Sequence, residues 1–298
     1  MALHRGDDLD DDFMPDDIVA LSEGGSLVGD PDDIAKLLSE DEDADPAHSP
    51  PHADNALADK KRKRREKEKE RKLKKRKLAE TTEPAELPSV AAQPPALISD
   101  YLSSVQEKTF PKLSAIELQD RQVPETSIAD TTEWTGSRNL DNLVDFIVKV
   151  VPSLHARLSQ RTKSPGAPTL LFLAGAALRV VDVTRTLRSK TLRGEKGGEV
   201  AKLFSKHFKV EEHVRYLKRT KVGSAVGTPG RIGKLLCDTD ALTVSALTHI
   251  ILDVSYRDAK KRSLLDIPET RDEVFKTVLG APQVLQAIQA GKIQIVLF

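Results

Sequence analysis

The residues with the plainest chemical purpose lie in one short stretch, Val226-Gly227-Thr228-Pro229-Gly230-Arg231. Lys221 to Val226 reads as an apolar strand, and Ile232-Gly233-Lys234-Leu235-Leu236 sets its apolar residues at helical spacing, so the hexapeptide predicts a strand-to-helix corner. Pro229 suits the first turn of a helix, where its missing N–H is not needed, and Gly230 lets another backbone approach closely. A helix start leaves N–H groups free for an anion, and Arg231 places a fork-shaped cation beside them. Such a corner can grip a phosphate. The plainer alternative is a tight turn with a solvated arginine, and the rest of the chain has to decide between the two.

At 298 residues there is room for one ordinary domain and a substantial tail. The formal net charge of zero conceals a strong asymmetry. Residues 1–59 are acidic, led by Asp7, Asp8, Asp10, Asp11, Asp12, Asp16 and Asp17. The run from Lys60-Lys61-Arg62-Lys63-Arg64-Arg65 through Lys74-Lys75-Arg76-Lys77 is almost wholly cationic and reads as a nuclear or nucleolar localisation signal, or as an arm for nucleic acid. Cys237 is the only cysteine, which excludes an intrachain disulfide. No apolar run is long enough to span a bilayer, and acids stand where a signal peptide needs an apolar core, so a soluble intracellular protein is expected, with no membrane partner. The histidines have no zinc-site spacing, and His249, inside an apolar run, reads as a core residue; no metal is expected.

Those residues need a scaffold. Residues 1–95 are rich in Asp, Pro, Lys and Glu without sustained apolar periodicity, which predicts a disordered tail. Within it, the acid-flanked aliphatics at 17–21 and 33–38 read either as docking segments or as interruptions of a solvated tail. Residues 96–298 are expected to form the ordered domain, with its core at about 168–298. Short helices are expected over Leu97–Gln106 and around Leu113–Leu118, a stronger amphipathic helix over Asn139–Leu154, and Trp134 as an anchor just before it. From about 168 the pattern alternates. Strands are expected at Thr169–Ala174, His213–Leu217, Lys221–Val226, Leu247–Asp253 and Lys292–Phe298, and helices at Ala176–Ser189, Glu199–His207, Pro268–Leu279 and Pro282–Ala290. This predicts an α/β fold, a parallel sheet covered on both faces, with Gly175, Thr228 and Asp253 at the carboxyl ends of strands where such folds bind ligands.

The order of features resembles the first RecA-like domain of DEAD-box RNA helicases, over roughly residues 130–298. Leu173-Ala174-Gly175-Ala176-Ala177-Leu178-Arg179 stands where that family has a strand ending in Leu-Ala-Pro-Thr-Arg-Glu-Leu-Ala. Thr228-Pro229-Gly230-Arg231 is intact, and Asp253-Val254-Ser255-Tyr256 stands in place of Asp-Glu-Ala-Asp. The resemblance implies a doubly wound, P-loop-type sheet that has decayed. No G-x-x-x-x-G-K-[ST] loop precedes the first strand, and Val254 cannot do the work of the glutamate that positions the attacking water. The Ser-Ala-Thr motif and second RecA-like domain of the helicases do not occur in the sequence through Phe298, so no complete two-domain cleft is expected within it. No catalytic residue, no cofactor and no ATP binding are expected; Asp253 is the remnant of the acid motif. By the same resemblance, Thr228, Gly230 and Arg231 would contact the RNA backbone, with Gly175 and Arg179 in weaker support. Lys202, Lys206, His207 and Lys209, expected on and after a helix, and Lys260-Lys261-Arg262 are further cationic clusters, for which a solvated surface is the alternative.

Four signatures narrow the resemblance: Leu113-Ser114-Ala115-Ile116-Glu117-Leu118, Val200 to His207, Val226 to Arg231, and Leu252 to Arg262. With the acidic and basic tail they look like the U3-containing 90S pre-ribosomal complex subunit family over about residues 97–298. That implies a nucleolar, non-catalytic factor of small-subunit assembly whose partners are pre-ribosomal RNA and assembly proteins. Two other readings remain open: an ATP-dependent helicase with unconventional nucleotide binding, and a nuclear adaptor for replication or chromatin proteins.

Overall fold

The computed structural model describes residues 89–298 apart from His207. The acidic segment, its aliphatic clusters and the localisation run from Lys60 to Lys77 lie outside the described residues, as does His207.

Among the described residues, five strands build one sheet: β1 (Leu170–Leu173), β2 (Glu199–Leu203), β3 (Val222–Gly227), β4 (His249–Leu252) and β5 (Gln294–Leu297). Every pairing is parallel, in the order β2-β3-β1-β4-β5. Successive side chains of a strand point to opposite faces, and here both faces are covered. Leu171, Leu173, Ile250, Leu252, Ile295 and Leu297 pack into one core, whereas Leu170, Phe172, Ile251 and Val296 pack into the other. Such burial contributes on the order of 1.5–3 kcal/mol per large apolar side chain. The result is a doubly wound α/β domain with a parallel sheet covered on both faces.

The helices divide between the two cores. On one side lie α1 (Pro95–Thr109), α7 (Val210–Arg219), α8 (Pro229–Cys237), α9 (Pro268–Glu273) with the π-helical turn Val274–Val278 that continues it, and α10 (Pro282–Gln289). On the other lie α3 (Leu143–Val150), α4 (Pro152–Leu158), α5 (Ala177–Leu187) and α6 (Lys190–Arg193), while the short α2 (Ala115–Gln119) follows α1 at the surface. The helix expected over 139–154 is therefore two. Val151 sits before Pro152, leaves the helical region with φ −124 and ψ 60, and turns the chain between α3 and α4.

Two expected elements exchange type. Glu199–His207 begins as strand β2 instead of a helix, and His213–Leu217 belongs to helix α7 instead of a strand. In the first, Val200, Leu203 and Phe204 happen to fall at helical spacing, but Ala201 and Lys202 between them are buried as well. Continuous burial is the mark of a parallel strand. In the second, His213 and Leu217 are four apart on the one buried face of an amphipathic helix. Part of the segment expected to be disordered is structured: Val90–Ala92 makes a short 3-10 turn whose Ala91 is buried and accepts a hydrogen bond from Thr131 Oγ1 at 3.1 Å.

Helix α8 and the π turn lie unusually close. A Cβ on Gly233 would collide with the hydroxyl of Thr277, which is itself held by the carbonyl of Glu273 at 2.6 Å. Only glycine fits there.

Candidate nucleic-acid interface

Because all five strands run parallel, the residues that follow them gather at one end of the sheet. Gly175 comes just after β1, Lys206 after β2, Thr228 after β3 and Asp253 after β4. The candidate residues therefore share a face, yet their side chains do not all turn toward solvent.

Asp253 is closed off. Its side chain has no exposed surface, and the Arg179 guanidinium clasps it, with Nε donating to Oδ2 at 2.7 Å and Nη2 to Oδ1 at 3.3 Å. Ser255 Oγ and the Tyr256 backbone N–H donate to Oδ1 at 2.9 and 3.2 Å. Arg179 also lies over the Tyr256 ring, 5.4 Å from its centre. A carboxylate so fully engaged has little left to offer a hydrated metal. Arg179, expected to support RNA contact, is thereby corrected: its fork is spent on Asp253, and its side chain is 11% exposed. Val254, beside it, is buried.

Arg231 is corrected in the same way. The residue is 6% exposed and turned inward, donating from Nη2 to the Phe208 carbonyl at 2.7 Å and facing His213 Nδ1 from Nη1 at 3.4 Å. His213 is fully buried against the Phe208 ring, and burial together with the nearby Arg231 charge holds its pKa down to about 4. The neutral imidazole can then accept from Arg231 at Nδ1. Arg231 thus ties α8 to the loop ahead of α7 rather than presenting a fork to solvent.

At the start of α8 an anion is already in place. The Glu273 carboxylate lies against Gly230, favoured by its N–H, and occupies the space a Cβ at Gly230 would need. Burial raises the Glu273 pKa, while the Gly230 N–H and the Lys234 charge pull against that rise. A helix N-terminus attracts an anion, and this one is satisfied from within the chain.

Four of the expected cations are exposed on this face: Lys206 and Lys209 between β2 and α7, and Lys260 and Lys261 in the loop after β4. Asp258 shapes that loop by accepting from the backbone N–H groups of Lys260 and Arg262, both at 2.8 Å. Lys202 is corrected to a buried position within β2. Thr228 is half-buried, with its N–H bonded to the Leu203 carbonyl at 3.0 Å.

Sequence reasoning missed Glu273, the His213–Phe208 support under Arg231, and a clamp at the far edge of the sheet. There Ile128 bridges in parallel to Ile295 of β5. The following loop is closed by Arg138, which donates to the carbonyls of Leu297 at 3.0 Å and Thr131 at 3.1 Å and to Thr131 Oγ1 at 3.0 Å. Burial lowers the pKa of Arg138 to about 10. Only the pairing of Arg179 with Asp253 had a signal in the sequence: an arginine and an acid just past the ends of two strands that prove to be neighbours.

The family model described as "U3-containing 90S pre-ribosomal complex subunit" matches residues 45–298. The chain belongs to that family. It is 37% identical over 185 residues to Protein CMS1 of Chaetomium thermophilum, covering 62% of this chain and 72% of that one. Against Protein cms1 of Schizosaccharomyces pombe the identity is 33%, covering 63% and 66%. Against human Protein CMSS1 it is 32%, covering 60% and 58%. The match thus spans about two thirds of the fission-yeast relative and less of the human one. Among solved structures, a DEAD box protein from Methanococcus jannaschii is similar at 17% identity and TM-score 0.34, covering 54% of this chain and 37% of that one. The yeast DEAD-box splicing factor Prp28 is similar at 16% and 0.37, covering 73% and 47%.

Proposed function

We propose that this member of the family is a non-catalytic binding module for RNA and assembly proteins, built on a helicase-like domain that no longer turns over nucleotide. The observation that carries the reading is the closed acid site. Asp253 is saturated by Arg179, Ser255 and Tyr256, and the position of the catalytic glutamate is held by the buried Val254. Phosphoryl transfer needs a phosphate cradle, a metal and a residue that orients the attacking water. Here the acid that would hold the metal is engaged by its neighbours, and Arg138 closes the loop beside the edge of the sheet on protein carbonyls.

Membership of a family of 90S pre-ribosomal subunits supports placement in the particle, and the cations Lys206, Lys209, Lys260 and Lys261 support backbone contact with its RNA. The same reading places the protein in the nucleus and nucleolus, with Lys60 to Lys77 as the address. The test is equilibrium binding of magnesium ATP to the purified full chain, with and without RNA, alongside sedimentation of the tagged protein from cell extract. The expected result is no saturable nucleotide binding and co-sedimentation with pre-ribosomal particles. Micromolar binding with RNA-stimulated hydrolysis would favour the unconventional ATPase instead.

A further inference from the structure

The opposite end of the sheet, where the strands begin, carries two adjoining hollows. One, of about 340 Å³, is walled by the end of α4 and the segment leading into β1, and Arg157, Arg161 and Lys163 line it. The other, of about 740 Å³, lies at the starts of β2 and β3 and is lined by Arg161, Arg193, Lys196, Arg219 and Lys221. Arg161 belongs to both, so the two form one trough. Seven basic side chains line it against two carboxylates, Glu195 and Glu199, and among the described residues only Arg193 is paired with one, at 3.4 Å from Glu199.

Ordinary structural duties account for few of these charges. Arg219 ends α7, where a cation complements the helix dipole. Arg161, Lys163, Lys196 and Lys221 stand exposed in connecting segments and stabilise no helix end. Like charges held together in a concave surface raise the local potential and draw in an extended anion. Its other walls are small or polar, with no apolar side chain larger than Ala167 and Ala246 and no aromatic ring. That composition leaves nothing to seat the aliphatic residues of the acidic segments at 17–21 and 33–38, and no aromatic platform on which successive bases could stack. It suits a repeating phosphate chain, for which arginine forks are well shaped.

We infer that the trough at the amino-terminal end of the sheet is an RNA-backbone surface separate from the exposed lysines at the carboxyl-terminal end, contacting phosphates without reading bases. The inference rests on the proposed RNA-binding role and adds a location to it. With two such faces, the domain sits between two RNA segments instead of on the end of one.

The experiment uses the full chain with the cations of residues 60–77 changed to Gln, so that the arm cannot mask the domain. A fluorescently labelled hairpin RNA with single-stranded flanks is titrated across a salt series. Two triple variants are compared with this parent: Arg161→Gln, Lys196→Gln and Lys221→Gln in the trough, and Lys206→Gln, Lys209→Gln and Lys260→Gln at the other end. The trough variant is expected to bind about tenfold more weakly or worse, and its log-affinity against log-salt slope to fall by roughly 2, at about 0.7 per lost single-strand phosphate contact. Urea midpoints matching the parent confirm that the fold is kept. If the trough variant binds like the parent while the other loses affinity, the inference is overturned and the proposed function stands. A parent that binds no RNA overturns both. Crosslinks from the trough to residues 1–59, with no RNA crosslink there, assign it to the chain's own acidic segment and overturn the inference alone.

Discussion

Removing the guanidinium of Arg179 tests whether the old acid motif has become part of the framework. In Arg179→Met, the Asp253 carboxylate keeps the Ser255 hydroxyl and the Tyr256 N–H but loses its only cationic partner among the described residues, in a site where its side chain has no exposed surface. Breaking a buried pair from one side costs about 3–5 kcal/mol, and the two surviving hydrogen bonds place this case near the lower figure, about 3 kcal/mol. That is a large fraction of the roughly 5–15 kcal/mol that holds a typical domain folded. Pairing Arg179→Met with Asp253→Leu removes the stranded charge as well, and the double variant should recover to within about 1–2 kcal/mol of the parent. Urea unfolding followed through Trp134 gives the readout, since that single tryptophan packs edge-on against the buried Phe146 with ring centres 5.6 Å apart. A double-mutant cycle then isolates the coupling. The reasoning fails if Arg179→Met costs less than about 1 kcal/mol, or if magnesium ATP stabilises the parent through Asp253.

Arg231→Ala should behave as a stability variant: the buried donors to the Phe208 carbonyl and His213 disappear at a cost of about 2 kcal/mol, while RNA affinity measured well below the melting temperature stays within about twofold of the parent. Thermal melts and RNA titrations on the same preparations separate the two effects. Acid should also loosen the domain. Burial holds His213 and His249 near a pKa of about 4, against an ordinary value of 6.5, so below 6.5 the unfolded chain takes up protons that the folded chain refuses. Stability is therefore full above that value and falls as pH drops toward 4, by about 2 kcal/mol per histidine at about pH 5. Urea midpoints across this range should fall steadily, and His249→Gln should flatten the dependence by about half.

Much of the framework was legible because its strongest signals were local. The apolar runs of β1, β4 and β5 and the Thr228-Pro229-Gly230 corner stand in the structure where periodicity and turn chemistry put them. Strand β2 and helix α7 were misread because the spacing of their apolar residues fits either type. Over five residues, Val200 to Phe204 satisfies both a helical and a strand pattern, and only the partner strand β3 decides between them. The site was less readable, because what an arginine does depends on what the fold brings to it. Nothing near Arg231 in sequence reveals that Phe208 and His213 wait beneath it, and Glu273 lies far along the chain from the helix start it serves. The trough was hidden for the same reason. Its cations are scattered in ones and twos between Arg157 and Lys221, and the starts of the parallel strands collect them.

The contact between Gly233 and Thr277 ties together two positions more than forty places apart. Drift at one is hostage to the other: a methyl group gained at 233 meets both the hydroxyl and the Cβ of Thr277, so it has room only where 277 has surrendered its whole side chain, as in a change to glycine. Lineages that cross from one combination to the other must pass through a strained intermediate unless the smaller residue at 277 arrives first, so the order of the two changes is constrained as well as their pairing.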